Sequence, residues 1–339
     1  MRQDGIRIAT LGGFGHTPSV LDEVQGDAQV LVAACAPAYE AEDIAAVSSH
    51  PACQKARIYS DYRNLLDEVR PEVVIIGTRL DKIAGIAAEA AQRGCHLICE
   101  KPLALSKESL GRLYEAVVQN KVNLTAMLSM KNKAAFRTAR TVYRGGTLGE
   151  AVVLNVRKSY KWNGRPAWFG ERRFYGDTFG WVGIHAFSII HFVTGAAFVS
   201  LSAMASNRHH PEYPDCQDCG VVSGVLSNGA YATISLDLFR PGSAATWGDD
   251  WLRMVGDKGI LEANAGRQTC GVMTAADDDY RPIPLEREGA IYRAFLDMVR
   301  AGGVDCRQRD EAFGLTYTCL CARQAAETGR VIQVETTFI

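Results

Sequence analysis

The sequence lacks any apolar run approaching the ~18 residues that a membrane-spanning helix needs, so a helical membrane protein is excluded. It also lacks an excess of either charge. The formal net charge is −1, with no basic footprint for nucleic acid and no acidic tail. There is no internal repeat and no low-complexity tract. The N-terminal stretch "MRQDGIRIATLGG" is without the long apolar core and cleavage site of a signal peptide, and a cytoplasmic address is the expectation. Ten cysteines are present, but most sit in apolar runs, where a thiol behaves as a small hydrophobe, and their scatter does not make a disulfide framework. Cys216 and Cys219 do have CxxC spacing, with His209 and His210 just upstream. A second such pair is missing, and a loop entering a strand is the simpler reading, so no metal site is expected.

With 339 residues, the chain exceeds what one core usually supports, and two domains are expected. From residue 6 onward, strand-like and helix-like stretches alternate. "IRIATL", "AQVLVAAC", "ARIY", "PEVVIIGT" and "HLICE" read as strands, and helical spacing of apolar residues lies between them. The run Val73–Ile76 is apolar throughout, as a buried parallel strand is. This pattern is a doubly wound parallel sheet. Beyond about residue 124 the strands lengthen and alternate, with hairpin signals at Asn228-Gly229 and Lys258-Gly259. The expected division is therefore a doubly wound α/β domain over 1–123 and an α+β domain with a mostly antiparallel sheet over 124–339. Amphipathic helices are expected at 290–300 and from about 310 to 328.

The first strand runs into "GGFGHTP". Glycines at such a turn let the backbone approach a pyrophosphate at a helix N-terminus. Counted from Gly13, the turn offers Gly13, Phe14, Gly15 and His16, with Pro18 in place of a third glycine. A dinucleotide is the expected ligand. The acid that normally ends the second strand and holds the adenosine ribose is absent: the strand ends Cys35-Ala36-Pro37, and Glu40 is the first acid. The sequence therefore leaves NAD and NADP both open.

The strand "HLIC" stops on Glu100-Lys101-Pro102. A lysine at the carboxyl edge of the sheet could position a substrate hydroxyl and handle its proton during hydride transfer, provided its surroundings bring its pKa down from ~10.4. "HLICEKPLAL" resembles the signature of the Gfo/Idh/MocA oxidoreductases, and "GTLGEAVVLNV", "SNGAYATI" and "MVGDKGILEA" resemble that family's C-terminal pattern. The resemblance implies that Lys101 is the catalytic lysine beside a nicotinamide, that Pro102 is cis, and that Glu100, Thr78 and Arg79 lie at the cofactor. In "GWVGIH" the family's aspartate–glycine–histidine pattern is matched at Gly183 and His185, but Trp181 stands at the aspartate position. By the same resemblance the first domain is a Rossmann dinucleotide-binding domain, the second carries a large, mostly antiparallel open sheet, and His185 handles a proton; Asp177, eight residues before His185, is a candidate partner across a turn. The family's proline after the fourth strand is Arg79 here.

Residues 157–175 are dense in cations and aromatics. Tyr160, Trp162 and Trp168 could stack on a sugar ring, with Arg157, Lys161 and Arg165 to hold hydroxyls or a carboxylate; a dimer interface fits the same composition. Asp177, Trp181 and His185 complete the expected substrate set. The leading expectation is an NAD(P)-dependent oxidoreductase acting on a sugar, polyol or sugar acid, with no nucleic-acid or membrane partner and, by the resemblance, a homo-oligomeric state (dimer or tetramer). Two other functions fit the missing carboxylate: a nucleotide- or sugar-binding regulatory protein without turnover, and a lyase or hydrolase that uses tightly held NAD for transient oxidation.

Overall fold

Residues 5–335 are described by a computed structural model, which divides into two units. Among the described residues, the first comprises 5–127 and 290–316 and the second 128–289 and 317–335.

In the first unit, strands β1 (Ile6–Leu11), β2 (Val30–Ala36), β3 (Arg57–Ile58), β4 (Val73–Ile76), β5 (His96–Cys99) and β6 (Leu124–Ala126) form one sheet in the order β3-β2-β1-β4-β5-β6. All pairs are parallel. Helices α1 (Thr17–Val24), α2 (Ala45–Ser48), α3 (Tyr62–Val69), α4 (Leu80–Gln92) and α5 (Lys107–Gln119) provide the crossovers. Each of Val73, Val74, Ile75 and Ile76 is fully buried, which accounts for the unbroken apolar run. Ser106 caps α5 by accepting the Ser109 N–H at 3.1 Å.

In the second unit, β7 (Ala151–Lys161), β8 (Phe198–Ser206), β9 (Cys219–Leu226), β10 (Tyr231–Arg240), β11 (Trp251–Gly256), β12 (Gly259–Asn264), β13 (Thr269–Thr274), β14 (Arg281–Pro282) and β15 (Ile332–Gln333) form a second sheet. Its order is β14-β13-β12-β11-β7-β10-β9-β8-β15, and only β7–β10 is parallel. The β9–β10 hairpin turns at Asn228-Gly229, as its sequence predicts. Helices α6 (Ala134–Arg144), α7 (Arg172–Tyr175) and α8 (Ile184–Thr194) belong to this unit, with α8 packed on β7 and α6 on β12 and β13. Strand β7 buries Leu154, Val156 and Lys158 on one side and leaves Asn155 and Arg157 partly open on the other.

Two helices follow: α9 (Ile291–Arg300) and α10 (Cys306–Thr328). The division differs here from the boundary expected at 123/124. β6 extends the parallel sheet, and 290–316 belongs to the first unit. The reason is packing. Tyr292, Phe295 and Leu296 of α9 are buried in the same core as Ile8, Val20, Leu21 and Ile75. Glu23 of α1 accepts the Tyr292 and Arg293 N–H groups at 2.9 and 3.2 Å, which caps the start of α9. Each fully buried side chain of this size contributes about 1.5–3 kcal/mol. The division falls within α10, whose first residues, up to Thr316, are in the first unit. Among the described residues no helix is long and apolar enough to cross a membrane.

Candidate active site

The glycine turn lies between the end of β1 and the start of α1. Gly12 and Gly15 have φ of +89° and +84°, a region that favours glycine. A Cβ on Gly12 would lie 2.3 Å from the Gly77 carbonyl oxygen at the end of β4. Gly12, Gly13 and Gly15 all lack room for a Cβ, and Gly12 and Gly15 take positive φ, so the turn reads Thr10-Leu11-Gly12-Gly13-Phe14-Gly15, three residues earlier than a count from Gly13. The Phe14 N–H donates to the Gly77 carbonyl at 2.8 Å and fixes the turn on the neighbouring strand end. Helix α1 carries no acid in its first turn, and its N-cap residue, His16, makes no side-chain cap. Held close to β4 by its glycines, the turn backbone at the start of α1 fits a dinucleotide pyrophosphate.

Glu100 joins this turn to the lysine. Its carboxylate is fully buried. Oε2 accepts the His16 backbone N–H at 2.6 Å and lies 2.8 Å from His16 Nδ1, while Oε1 accepts the Lys101 backbone N–H at 2.9 Å. Burial pushes the Glu100 carboxyl up, but the His16 charge and hydrogen bond, with those of Lys101, outweigh it and hold the group below its usual value. Lys101 itself is buried to 1% exposure, and the Lys101–Pro102 peptide is cis.

Thr78 and Arg79 lie between β4 and α4. The buried Thr78 hydroxyl donates to Glu42 Oε1 at 2.6 Å, and Arg79 pairs with Asp81 at 2.6 Å while its guanidinium lies 4.8 Å over the Tyr39 ring. Glu42 was not picked out from the sequence. Besides Thr78, it accepts the Ala38 N–H at 2.7 Å, and burial raises its carboxyl above the usual value. It thus places a carboxylate against the glycine turn, although β2 ends in Ala36 and Glu40 is exposed. A loop acid at no fixed spacing gives no motif, which is why it could not be read in advance.

In the second unit, Asp177, Trp181 and His185 are all buried. Trp181 lies in a π-helical segment, Phe179–Gly183, that runs directly into α8 and His185. A Cβ on Gly183 would lie 3.2 Å from the Leu236 side chain, so glycine lets this segment sit close on β10. Asp177 Oδ1 accepts the Gly180 N–H at 2.8 Å, and Oδ2 lies 3.6 Å from Arg323; burial raises its carboxyl, against the pull of Arg323. The aromatic residues form a continuous set. Phe169 stacks on Tyr175 at 4.4 Å and meets Trp181 edge-on at 5.9 Å, and Trp168 tilts against Phe169 at 4.5 Å. Trp162 stacks on His210 at 3.5 Å, and the His210 ring is held 2.9 Å from Asp218. That stack accounts for His210, and among the described residues no cluster of His, Cys, Asp and Glu suits a metal. Cys216 is buried and its thiol is pushed up to about 11 by that burial.

One buried pair was not anticipated. Lys158 Nζ lies 2.7 Å from Asp250 Oδ1 and 4.2 Å over the Tyr160 ring; both charged groups are buried, and burial pulls the Lys158 ammonium below its usual value against the pull of Asp250. The strand alternation of β7 shows which face position 158 occupies, not that an acid just before β11 meets it there.

Residues 10–127 match the family described as "Oxidoreductase family, NAD-binding Rossmann fold", and residues 136–262 match the "GFO/IDH/MocA C-terminal domain". The chain belongs to the Gfo/Idh/MocA family of oxidoreductases and carries its NAD-binding Rossmann domain. Among individual proteins, it is 26% identical over 223 residues to the uncharacterized oxidoreductase YrbE of Bacillus subtilis, covering 65% of this chain and 63% of YrbE. It is 28% identical over 154 residues to a levoglucosan dehydrogenase of Pseudarthrobacter phenanthrenivorans, covering 43% of this chain and 39% of that protein. The matched region thus spans less than two thirds of either relative. A solved structure from Thermotoga maritima, assigned to the oxidoreductases without a substrate, superimposes with a TM-score of 0.90 at 29% identity and covers 97% of this chain and 100% of that one. A levoglucosan dehydrogenase solved with NADH and levoglucosan gives 0.82 at 18% identity over 98% and 100%, a likeness of fold.

Proposed function

We propose that the protein is an NAD-dependent dehydrogenase that moves a hydride between the nicotinamide and a hydroxyl carbon of a sugar or polyol, in a branch of the family where Trp181 replaces the usual carboxylate. The observation that carries this reading is the Glu100 carboxylate, which takes both the His16 N–H and the Lys101 N–H. One fixed group therefore sets the cofactor turn and the proton-handling lysine in a single frame, as hydride transfer with proton removal requires. The bound cofactor would accept or supply the hydride. Gly12, Gly13, Phe14, Gly15 and His16 would hold its pyrophosphate, with Thr78 and Arg79 at its side. Lys101 would orient the substrate oxygen and take its proton, and His185 would relay or return that proton. Family relatives that act on levoglucosan support a sugar-like substrate.

In this reading the cofactor is NAD rather than NADP. An ionised carboxylate accepts about four hydrogen bonds. Glu42 has two, from Thr78 and Ala38, which leaves room for a ribose hydroxyl, while its charge would repel a 2′-phosphate. A cytoplasmic address and a homo-oligomer formed through the second sheet complete the proposal. Loss of turnover in Lys101→Ala with NADH affinity retained is the test. Trp181 packed against Phe169, where a carboxylate was expected, favours a second reading, a ligand-binding protein without turnover; net reduction of added NAD by any sugar or polyol would exclude it.

A further inference from the structure

The stretch from Arg157 to Arg173 carries six cations, and four of them pair with a carboxylate. Arg157 pairs with Asp249 at 2.8 Å and Lys158 with Asp250 at 2.7 Å. Lys161 donates to the Ala244 carbonyl at 2.5 Å. Arg172 pairs with Glu327 at 2.7 Å and Arg173 with Glu171 at 2.6 Å. Arg165, like Lys161, has only a backbone carbonyl. Its Nη2 donates to the Lys161 carbonyl at 3.1 Å, its Nε is buried with no partner, and among the described residues no carboxylate pairs with it. The groups that act on it are Tyr175, Cys216, Tyr160 and Tyr213, of which Tyr175 and Cys216 are pushed further toward their neutral forms by burial. Its guanidinium lies 5.5 Å from the Trp162 ring and 5.7 Å from the Phe169 ring.

An arginine keeps its charge at any working pH. Arg165 is only partly buried, so its charge is withdrawn from water in part, at Nε, without a counter-ion, and two aromatic faces offset ~1–2 kcal/mol of that cost each. A cation held in this state is set for an anion that arrives with a ligand. Its position links it to the proposed chemistry: Phe169, beneath the guanidinium, meets Trp181 edge-on at 5.9 Å, and Trp181 precedes His185 on the same helical segment. We infer that Arg165 is a specificity-determining anchor for a carboxylate, so that the substrate is a sugar acid or uronate rather than a neutral sugar. The inference rests on the dehydrogenase reading above and narrows its substrate class. Planar, bidentate recognition of a carboxylate is what an arginine fork provides and a lysine does not.

The test is calorimetric titration of the NADH-loaded protein with D-glucuronate, D-galacturonate and D-gluconate, each against its neutral counterpart D-glucose, D-galactose or sorbitol. At least one acid is expected to bind ten-fold or more tightly than its neutral counterpart. Arg165→Gln is expected to abolish that preference, and Arg165→Lys to restore only part of it. Because the guanidinium has no acid partner to lose, Arg165→Gln should also keep or raise the melting temperature, whereas a purely structural arginine would lower it. The proposal is overturned if no acid binds, if the neutral sugars bind as tightly, or if Arg165→Gln binds the acid as the unmodified protein does. NADH binding, measured first in the same cell, reports separately on the dehydrogenase reading.

Discussion

The Glu100 carboxylate occupies the space that any side chain at position 15 would need: a Cβ on Gly15 would lie 1.9 Å from Glu100 Oε2, and Gly15 has φ of +84°. Gly15→Ala therefore either strains a left-handed residue or displaces the carboxylate from the His16 N–H. Together these cost about 2–5 kcal/mol. The expected outcome is a melting temperature lowered by several degrees and NADH affinity reduced by more than ten-fold. Thermal unfolding with and without NADH checks both; unchanged NADH affinity would detach this contact from the cofactor turn.

Glu100 is a buried carboxyl whose folded pKa lies below its unfolded value, usually 4.5. Its stabilisation is present above that unfolded value and is lost as pH falls through the lower folded value. In Glu100→Gln that acid-sensitive part of the stability disappears, and about 2–3 kcal/mol is lost at neutral pH because two N–H groups exchange an ionised acceptor for a neutral one. Denaturant unfolding of both proteins from neutral pH down to the acid limb measures this. Parallel curves for the two would show that another group governs the acid limb.

The contrast between Glu100 and Glu42 shows what the sequence makes legible. Glu100 follows an apolar strand in a recognisable tripeptide, so its place at the sheet edge can be read in advance. Glu42 carries no spacing signal, and its contact with Thr78 depends on how the loop after β2 folds back. β6 has only three residues, too few for a periodicity, and so the first boundary is read early. The amphipathic face of α9 is evident in the sequence, but the face does not name its partner; only the fold shows Tyr292 and Phe295 entering the first unit's core. The fully apolar strand β4 and the β9–β10 hairpin were legible because their signals are local.

Cofactor choice tests Glu42. The unmodified protein should bind NADH more tightly than NADPH, and Glu42→Gln should reduce that preference by about ten-fold, the effect of one charged hydrogen bond of ~1.4 kcal/mol. Because burial raises the Glu42 carboxyl above 4.5, the preference should also weaken on acidification before an ordinary glutamate would protonate. Fluorescence titration with both reduced cofactors decides it. An unchanged ratio in Glu42→Gln would give the carboxylate a purely local role in holding the loop.

Lys158 and Asp250 form a buried pair. Removing one partner strands a charge, so Lys158→Met alone should cost about 3–5 kcal/mol, while Lys158→Met combined with Asp250→Leu should recover most of it. Chemical denaturation of the single and double variants gives the coupling. If the double variant is no more stable than the single one, the pair does more than neutralise itself.

The most direct test of the central claim is an NADH titration of the unmodified protein and of Lys101→Ala, each followed by a turnover assay in the reduced-nicotinamide absorbance band with sugars, polyols and sugar acids. The account predicts saturable NADH binding of similar affinity in both proteins, with turnover lost only in Lys101→Ala. Failure of the unmodified protein to bind NADH, or full turnover by Lys101→Ala, would contradict it.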